Sequence, residues 1–132
     1  KGNYTLIKPN TNDKKDIRCG EKALKSSGNF SFVQGAICRN NKIVAFEGNS
    51  GTQKMIKKVK KISKAPNGIL IKFPKKKQDL RVDLPTIGLE TLKQCKTAGL
   101  KGIVLKHKLN IFLNKRQSVK YANRNKMFIF IK

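Results

Sequence analysis

Short apolar runs alternate along this chain with longer, lysine-rich stretches in which apolar positions recur three and four residues apart. Phe30–Cys38, Lys42–Glu47, Ile69–Phe73, Lys101–Lys106, Asn110–Leu113 and Met127–Ile131 are short runs rich in Ile, Val and Phe, the pattern of strands. Between them, Asn12–Ser27 predicts a helix, with Asp13 and Asp16 in the first turn, where the helix dipole favours negative charge, and Gly28 to end it. Thr52–Ile62 predicts a second helix that gathers Met55, Ile56, Val59 and Ile62 on one face and lysines on the other. Pro85-Thr86-Ile87-Gly88 leads into a third through Ala98, with Leu89, Leu92 and Cys95 inward and Gly99 as cap; Lys115–Asn125 is the fourth. Arg39-Asn40-Asn41 reads as a hairpin connection and Ala65-Pro66-Asn67-Gly68 as a turn. Strands alternating with helices of this length predict an α/β fold: a mixed sheet of about six strands with helices packed on it, in a single domain.

A length of 132 residues suits one such domain, and 38% hydrophobic with 29% charged residues is enough to fold. No apolar run approaches the roughly 18–20 residues of a membrane-spanning helix. The opening Lys1-Gly2-Asn3-Tyr4 has neither an initiator Met nor a signal pattern, so a piece of a longer protein is expected. Cys19, Cys38 and Cys95 are odd in number and widely spaced, as reduced thiols of a cytosolic protein are. With His107 as the sole histidine, most zinc sites fall away. The 31 Lys and Arg against 7 Asp and Glu give a formal charge of +24. That charge admits an anionic partner: nucleic acid, an anionic membrane surface or a phosphorylated ligand. Only five of the bases are Arg, however, and they are scattered among many Asn and Ile, the usage of an AT-rich genome. Nucleic acid is therefore the less favoured partner.

Two stretches carry candidate chemistry. In Gln78-Asp79-Leu80-Arg81-Val82-Asp83-Leu84, apolar and charged residues alternate, so an extended chain puts Asp79, Arg81 and Asp83 on one face, about 6.5–7 Å apart. A guanidinium between two carboxylates keeps both ionised, which suits a divalent metal or a water positioned beside a phosphate. A surface ion pair on an edge strand explains the same pattern equally well. The loop Glu47-Gly48-Asn49-Ser50-Gly51-Thr52 joins a strand to a helix. Its glycines and the helix start can cradle a phosphate, with Thr52 or Ser50 as helix cap, although the spacing is not that of a Walker A loop. A plain glycine turn is the simpler reading. His107, between two lysines, reads as solvated, the cysteines as small buried hydrophobes, and Lys57, Lys58, Lys60 and Lys61 as a solvated helix face.

The string Gln78-Asp79-Leu80-Arg81-Val82-Asp83-Leu84-Pro85-Thr86-Ile87-Gly88, preceded by Gly68-Ile69-Leu70-Ile71-Lys72, resembles the C-terminal domain of UDP-2,3-diacylglucosamine pyrophosphatases of the LpxI type. Gln34-Gly35-Ala36-Ile37, Ile43-Val44-Ala45-Phe46-Glu47 and Gly99-Leu100-Lys101-Gly102-Ile103 extend the likeness over nearly the whole chain. The resemblance implies that residues 1–132 are the C-terminal catalytic domain of a two-domain enzyme whose N-terminal domain lies outside this chain. It implies hydrolysis of UDP-2,3-diacylglucosamine to UMP and 2,3-diacylglucosamine 1-phosphate (lipid X) in lipid A synthesis. The cofactor implied is Mg²⁺ or another divalent metal, and the place is cytoplasmic, peripheral to the anionic inner membrane. Asp79 is then the essential carboxylate and a metal ligand, with Gln78 beside it and Asp83 as second ligand. Lys72, Arg81, Thr52, Gly51 and Ser50 are the substrate contacts. A second copy of the chain is a further candidate partner, and a domain inactive by itself is compatible with the resemblance. One departure stands out. The family usually writes Glu-Gly-Thr-Asp where this chain has Ser50-Gly51-Thr52-Gln53, which leaves backbone and hydroxyl donors as the contribution of that loop.

Overall fold

A computed structural model describes residues 1–26, 34–48, 50–74 and 86–132. The strands are β1 (Gly2–Asn3), β2 (Gly35–Arg39), β3 (Lys42–Phe46), β4 (Ile69–Lys72), β5 (Thr86–Ile87), β6 (Gly102–Leu105), β7 (Ile111–Phe112) and β8 (Phe128–Ile131). The helices are α1 (Thr11–Ser26), α2 (Thr52–Lys57), α3 (Leu89–Thr97) and α4 (Lys115–Arg124). Six strands form one mixed sheet in the order β1-β8-β6-β4-β2-β3, as the alternation predicts. Within it β4, β6 and β8 run parallel, while β2 runs antiparallel to both β3 and β4. The carboxyl ends of β3, β4, β6 and β8 therefore share one edge.

Successive residues of the central strands point to opposite faces, and both faces are covered. Ile37, Leu70, Ile103 and Ile129 pack with Met55 and Ile56 of α2, Leu92 and Cys95 of α3 and Ala122 of α4. Ala36, Cys38, Ile69, Ile71, Val104 and Phe128 pack against Ile17 and Leu24 of α1. The start of α1 is a reciprocal box rather than a dipole contact alone. The Asn10 N–H donates to Asp13 Oδ2 and the Asp13 N–H donates to Asn10 Oδ1, each at 2.8 Å. Asp16 reaches out of the helix to accept the Asn41 N–H of the β2–β3 hairpin at 2.6 Å.

Two expectations change. The sixth strand of the sheet is β1, while β7 leaves it to pair in parallel with β5 as a small second sheet. Helix α2 stops at Lys57 instead of Ile62. Its last turn tightens, the Lys58 and Val59 N–H groups donating to the carbonyls of Met55 and Ile56 at 3.3 and 3.0 Å, and beyond it the buried Arg39 donates to the carbonyls of Asn67, Lys60 and Ala98 at 2.9, 3.0 and 3.2 Å. Ile62, beyond the helix end, is 60% exposed. The expected strand residues 30–33, the Gly28 cap, Asn49 and the extended run 75–84 lie outside the described residues.

Candidate functional site

Strand β4 reads Ile69-Leu70-Ile71-Lys72, and all four residues are buried. Alternation puts Lys72 on the face of Leu70, toward α2, with only 2% of its surface exposed. A buried ammonium must place its three protons on oxygens. Lys72 Nζ donates to Glu47 Oε1 at 2.7 Å, to Glu47 Oε2 at 2.9 Å and to Thr52 Oγ1 at 2.8 Å. Thr52 in turn donates its hydroxyl to Glu47 Oε1, which closes the triangle. Glu47 follows β3 and is itself 6% exposed, so the pair is desolvated on both sides.

Backbone features make room for this cluster. A Cβ at Gly35, the β2 residue opposite Lys72, would stand 2.9 Å from Lys72 Cδ and 3.1 Å from the Ile71 carbonyl oxygen. Any larger residue at position 35 would push the lysine stem aside. Gly51 precedes α2 at φ +91°, a left-handed conformation suited to glycine, and no side chain caps the helix. The cap expected of Thr52 or Ser50 is thus absent. The Thr52 hydroxyl is already committed to Glu47 and Lys72, and Ser50 lies exposed in the turn before Gly51.

On its other side, Lys72 ties β4 to β6. Its carbonyl accepts Asn110 Nδ2 at 3.1 Å and the Lys106 N–H at 3.3 Å. The chain leaves this edge through Phe73 and Pro74. Gln78, Asp79, Arg81 and Asp83, the residues expected to carry the chemistry, lie in 75–85, outside the described residues. Among the described residues, no group of three or more His, Cys, Asp or Glu comes together, and Lys72 occupies both oxygens of Glu47. A divalent metal accordingly finds no donor set in the triangle, and Asp79 and Asp83 remain the candidate ligands.

His107, Cys38 and Cys95 sit as expected, whereas Cys19 is only half-buried and donates to the Asn41 carbonyl at 3.5 Å. His107 is exposed. Its imidazole is held below the usual value by desolvation, then by the amino terminus, Lys108 and Lys1. Burial pushes Cys95 up to about 12; burial, aided by Cys19 and Asp16, also pushes Cys38 up. Buried protonated thiols are poor nucleophiles. Glu47 and Asn110 were not among the expected site residues. The signal for Glu47 lay in Lys72 itself, because a lysine closing a β-branched buried run requires a buried acid.

In open α/β sheets ligands commonly bind at the carboxyl edge of the strands, the edge at which this mixed α/β domain carries its buried polar cluster. The family is specific: residues 1–130 match the LpxI C-terminal domain, and the chain belongs to that family. It is 32% identical over 111 residues to the protein named UDP-2,3-diacylglucosamine pyrophosphatase LpxI of Caulobacter vibrioides. That alignment covers 79% of this chain, which spans 40% of the length of the relative.

Proposed function

We propose that this chain is the C-terminal domain of a UDP-2,3-diacylglucosamine pyrophosphatase. In this reading it cleaves the pyrophosphate with water to give UMP and 2,3-diacylglucosamine 1-phosphate, a hydrolytic step of lipid A synthesis. Family membership over residues 1–130 is the observation that carries the reading. The name and 32% identity of the Caulobacter relative support the substrate. An N-terminal domain completes the site. The acylated substrate is met at the cytoplasmic, anionic surface of the inner membrane, where a lysine-rich domain is attracted to the bilayer. Among the described residues no helix is long and apolar enough to cross that membrane.

Uncatalysed phosphate-ester hydrolysis is so slow that positioning and charge neutralisation must supply most of the acceleration. Asp79, with Gln78 beside it, orients the attacking water. Asp79 and Asp83 would hold Mg²⁺ or another divalent ion, which supplies charge neutralisation to the pyrophosphate oxygens. Arg81 adds positive charge, Ser50 offers its hydroxyl, and the helix start at Gly51 and Thr52 offers backbone donors. Lys72 contributes through its pair with Glu47: it fixes Thr52 and the end of β4, from which the Asp79 segment departs. In the two-domain protein, Asp79→Ala should lower turnover by about 10³-fold or more while circular dichroism stays native. A rate near that of the unaltered enzyme would remove Asp79 from the mechanism.

A further inference from the structure

On the face of the sheet opposite Lys72, two cysteines meet under helix α1. Cys19 stands in the middle of α1 and Cys38 on β2, and both pack into the cluster that α1 makes with the sheet. The Cys38 sulfur lies directly against the helix. A Cβ on Gly20, the residue after Cys19, would stand 2.9 Å from Cys38 Sγ. The Cys19 side chain is in hydrogen-bond contact with that sulfur, and both cysteines are free thiols.

The two thiols differ in access. Cys38 is fully buried, whereas Cys19 opens onto a recess of about 640 Å³ along α1. Lys15, Arg18 and Lys22 line that recess, and none of the three forms an ion pair among the described residues. Reactive cysteines occur in partly exposed, electropositive surroundings of this kind. The same helix turn is clamped to the β2–β3 hairpin at both ends of one peptide residue. Asp16 accepts the Asn41 N–H at 2.6 Å, and Cys19 donates to the Asn41 carbonyl at 3.5 Å. The clamp keeps α1 in register with β2, so the sulfurs stay within reach of each other. An accessible thiol poised beside a second, resolving thiol is the arrangement of a redox-sensitive pair.

We propose that Cys19 and Cys38 are an oxidisable dithiol that a hydroperoxide converts to a disulfide, with Cys19 as the sulfur oxidised first and Cys38 as the resolving sulfur. The Cys19 sulfur attacks one peroxide oxygen. An S–O bond forms, the O–O bond breaks, and the leaving hydroxide takes the thiol proton as water. The Cys38 sulfur then attacks Cys19. The S–S bond forms, the S–O bond breaks, and the departing hydroxide takes the Cys38 proton as a second water. The two thiols together lose two electrons to one peroxide. Burial keeps Cys38 protonated and away from the oxidant, so it does not start the reaction. A sulfur already held in contact needs no diffusive encounter to finish it. The product ties α1 covalently to β2, whatever reaction the whole enzyme performs.

The test is treatment of the folded chain with hydrogen peroxide, followed by denaturation, alkylation of free thiols and mass mapping. The chain should lose the mass of two hydrogens and then take up one alkyl group, at Cys95, where the reduced chain takes up three. The tryptic peptide Cys19–Lys22 should be joined to Ser26–Arg39, and a reducing agent should separate them. The bridge should also raise the melting temperature by several degrees, reversibly with dithiothreitol, because it restricts the unfolded chain. Cys19→Ser should abolish both the mass loss and the rise, and leave Cys38 open to alkylation. Cys19 carrying two or three oxygens while Cys38 is still alkylated would overturn the proposal. So would a disulfide between two chains, a bridge to Cys95, or three free thiols after peroxide treatment.

Discussion

A lysine with 2% of its surface exposed is stable only while its partners remain. Removing one member of a buried pair strands the other charge, which typically costs about 3–5 kcal/mol, whereas replacing both by apolar groups of similar volume is often neutral. Glu47→Ala should therefore lower the unfolding free energy in urea by about that amount, and Glu47→Leu with Lys72→Met should recover most of it. An unchanged midpoint for Glu47→Ala would mean that the pair is not buried. Asp16 makes a prediction of opposite character. Burial raises its pKa above 3.8, with Asp13 adding to the effect and the Asn41 N–H opposing it. The folded chain then binds more protons than the unfolded one, so stability falls as pH rises through this range. Relative to Asp16→Asn, the native chain should lose stability as pH rises through and above the ordinary carboxylate range, as read from urea midpoints. A difference that stays flat or grows with pH would contradict the assignment.

The periodic elements are legible in the amino-acid sequence alone, because one-faced burial is written locally. Helices α1, α3 and α4 and strands β3, β4, β6 and β8 fall where the apolar pattern puts them. What escapes the pattern is tertiary. Strands β1 and β5 have two residues each, too few for a pattern, and β7 shows its strand character but not its choice of partner. Helix α2 carries the periodicity of a longer helix but ends at Lys57, and the segment after it is held by Arg39, 21 residues from the Lys60 carbonyl it binds. The same applies to the candidate site: Glu47 and Lys72 are 25 positions apart, and no local spacing joins them. Two substitutions test the packing of elements. A Cβ on Gly20 would lie 1.9 Å from Ile71 Cδ1, so Gly20→Ala should push α1 off the sheet and cost about 1–3 kcal/mol. Ser118 in α4 is fully buried and its hydroxyl has no partner. Ser118→Ala should raise the thermal midpoint, in keeping with about 1 kcal/mol recovered; a lower midpoint would show that the hydroxyl is bonded.

At the scale of the whole molecule, a charge of +24 on 132 residues opposes compaction. Three ion pairs among the described residues, Lys72–Glu47, Lys101–Asp13 and Lys132–Glu21, offset little of it. Salt at about 0.5 M should accordingly raise the melting temperature, since screening shortens the reach of repulsion to a few ångströms. The charge is spread over many faces, while the features that discriminate are concentrated at one edge of the sheet. There the Glu47–Lys72–Thr52 triangle and Asn110 meet at Lys72, beside the point where the chain leaves β4.

Because the chain spans 40% of its Caulobacter relative, the most direct measurement supplies the rest. The chain is mixed with the N-terminal part of that relative, UDP-2,3-diacylglucosamine and Mg²⁺, and the products are read by mass spectrometry. The account predicts UMP and 2,3-diacylglucosamine 1-phosphate in equal amounts, absent when the chain carries Asp79→Ala. Products that persist with Asp79→Ala, or none from a complex shown to form with folded partners, would contradict it.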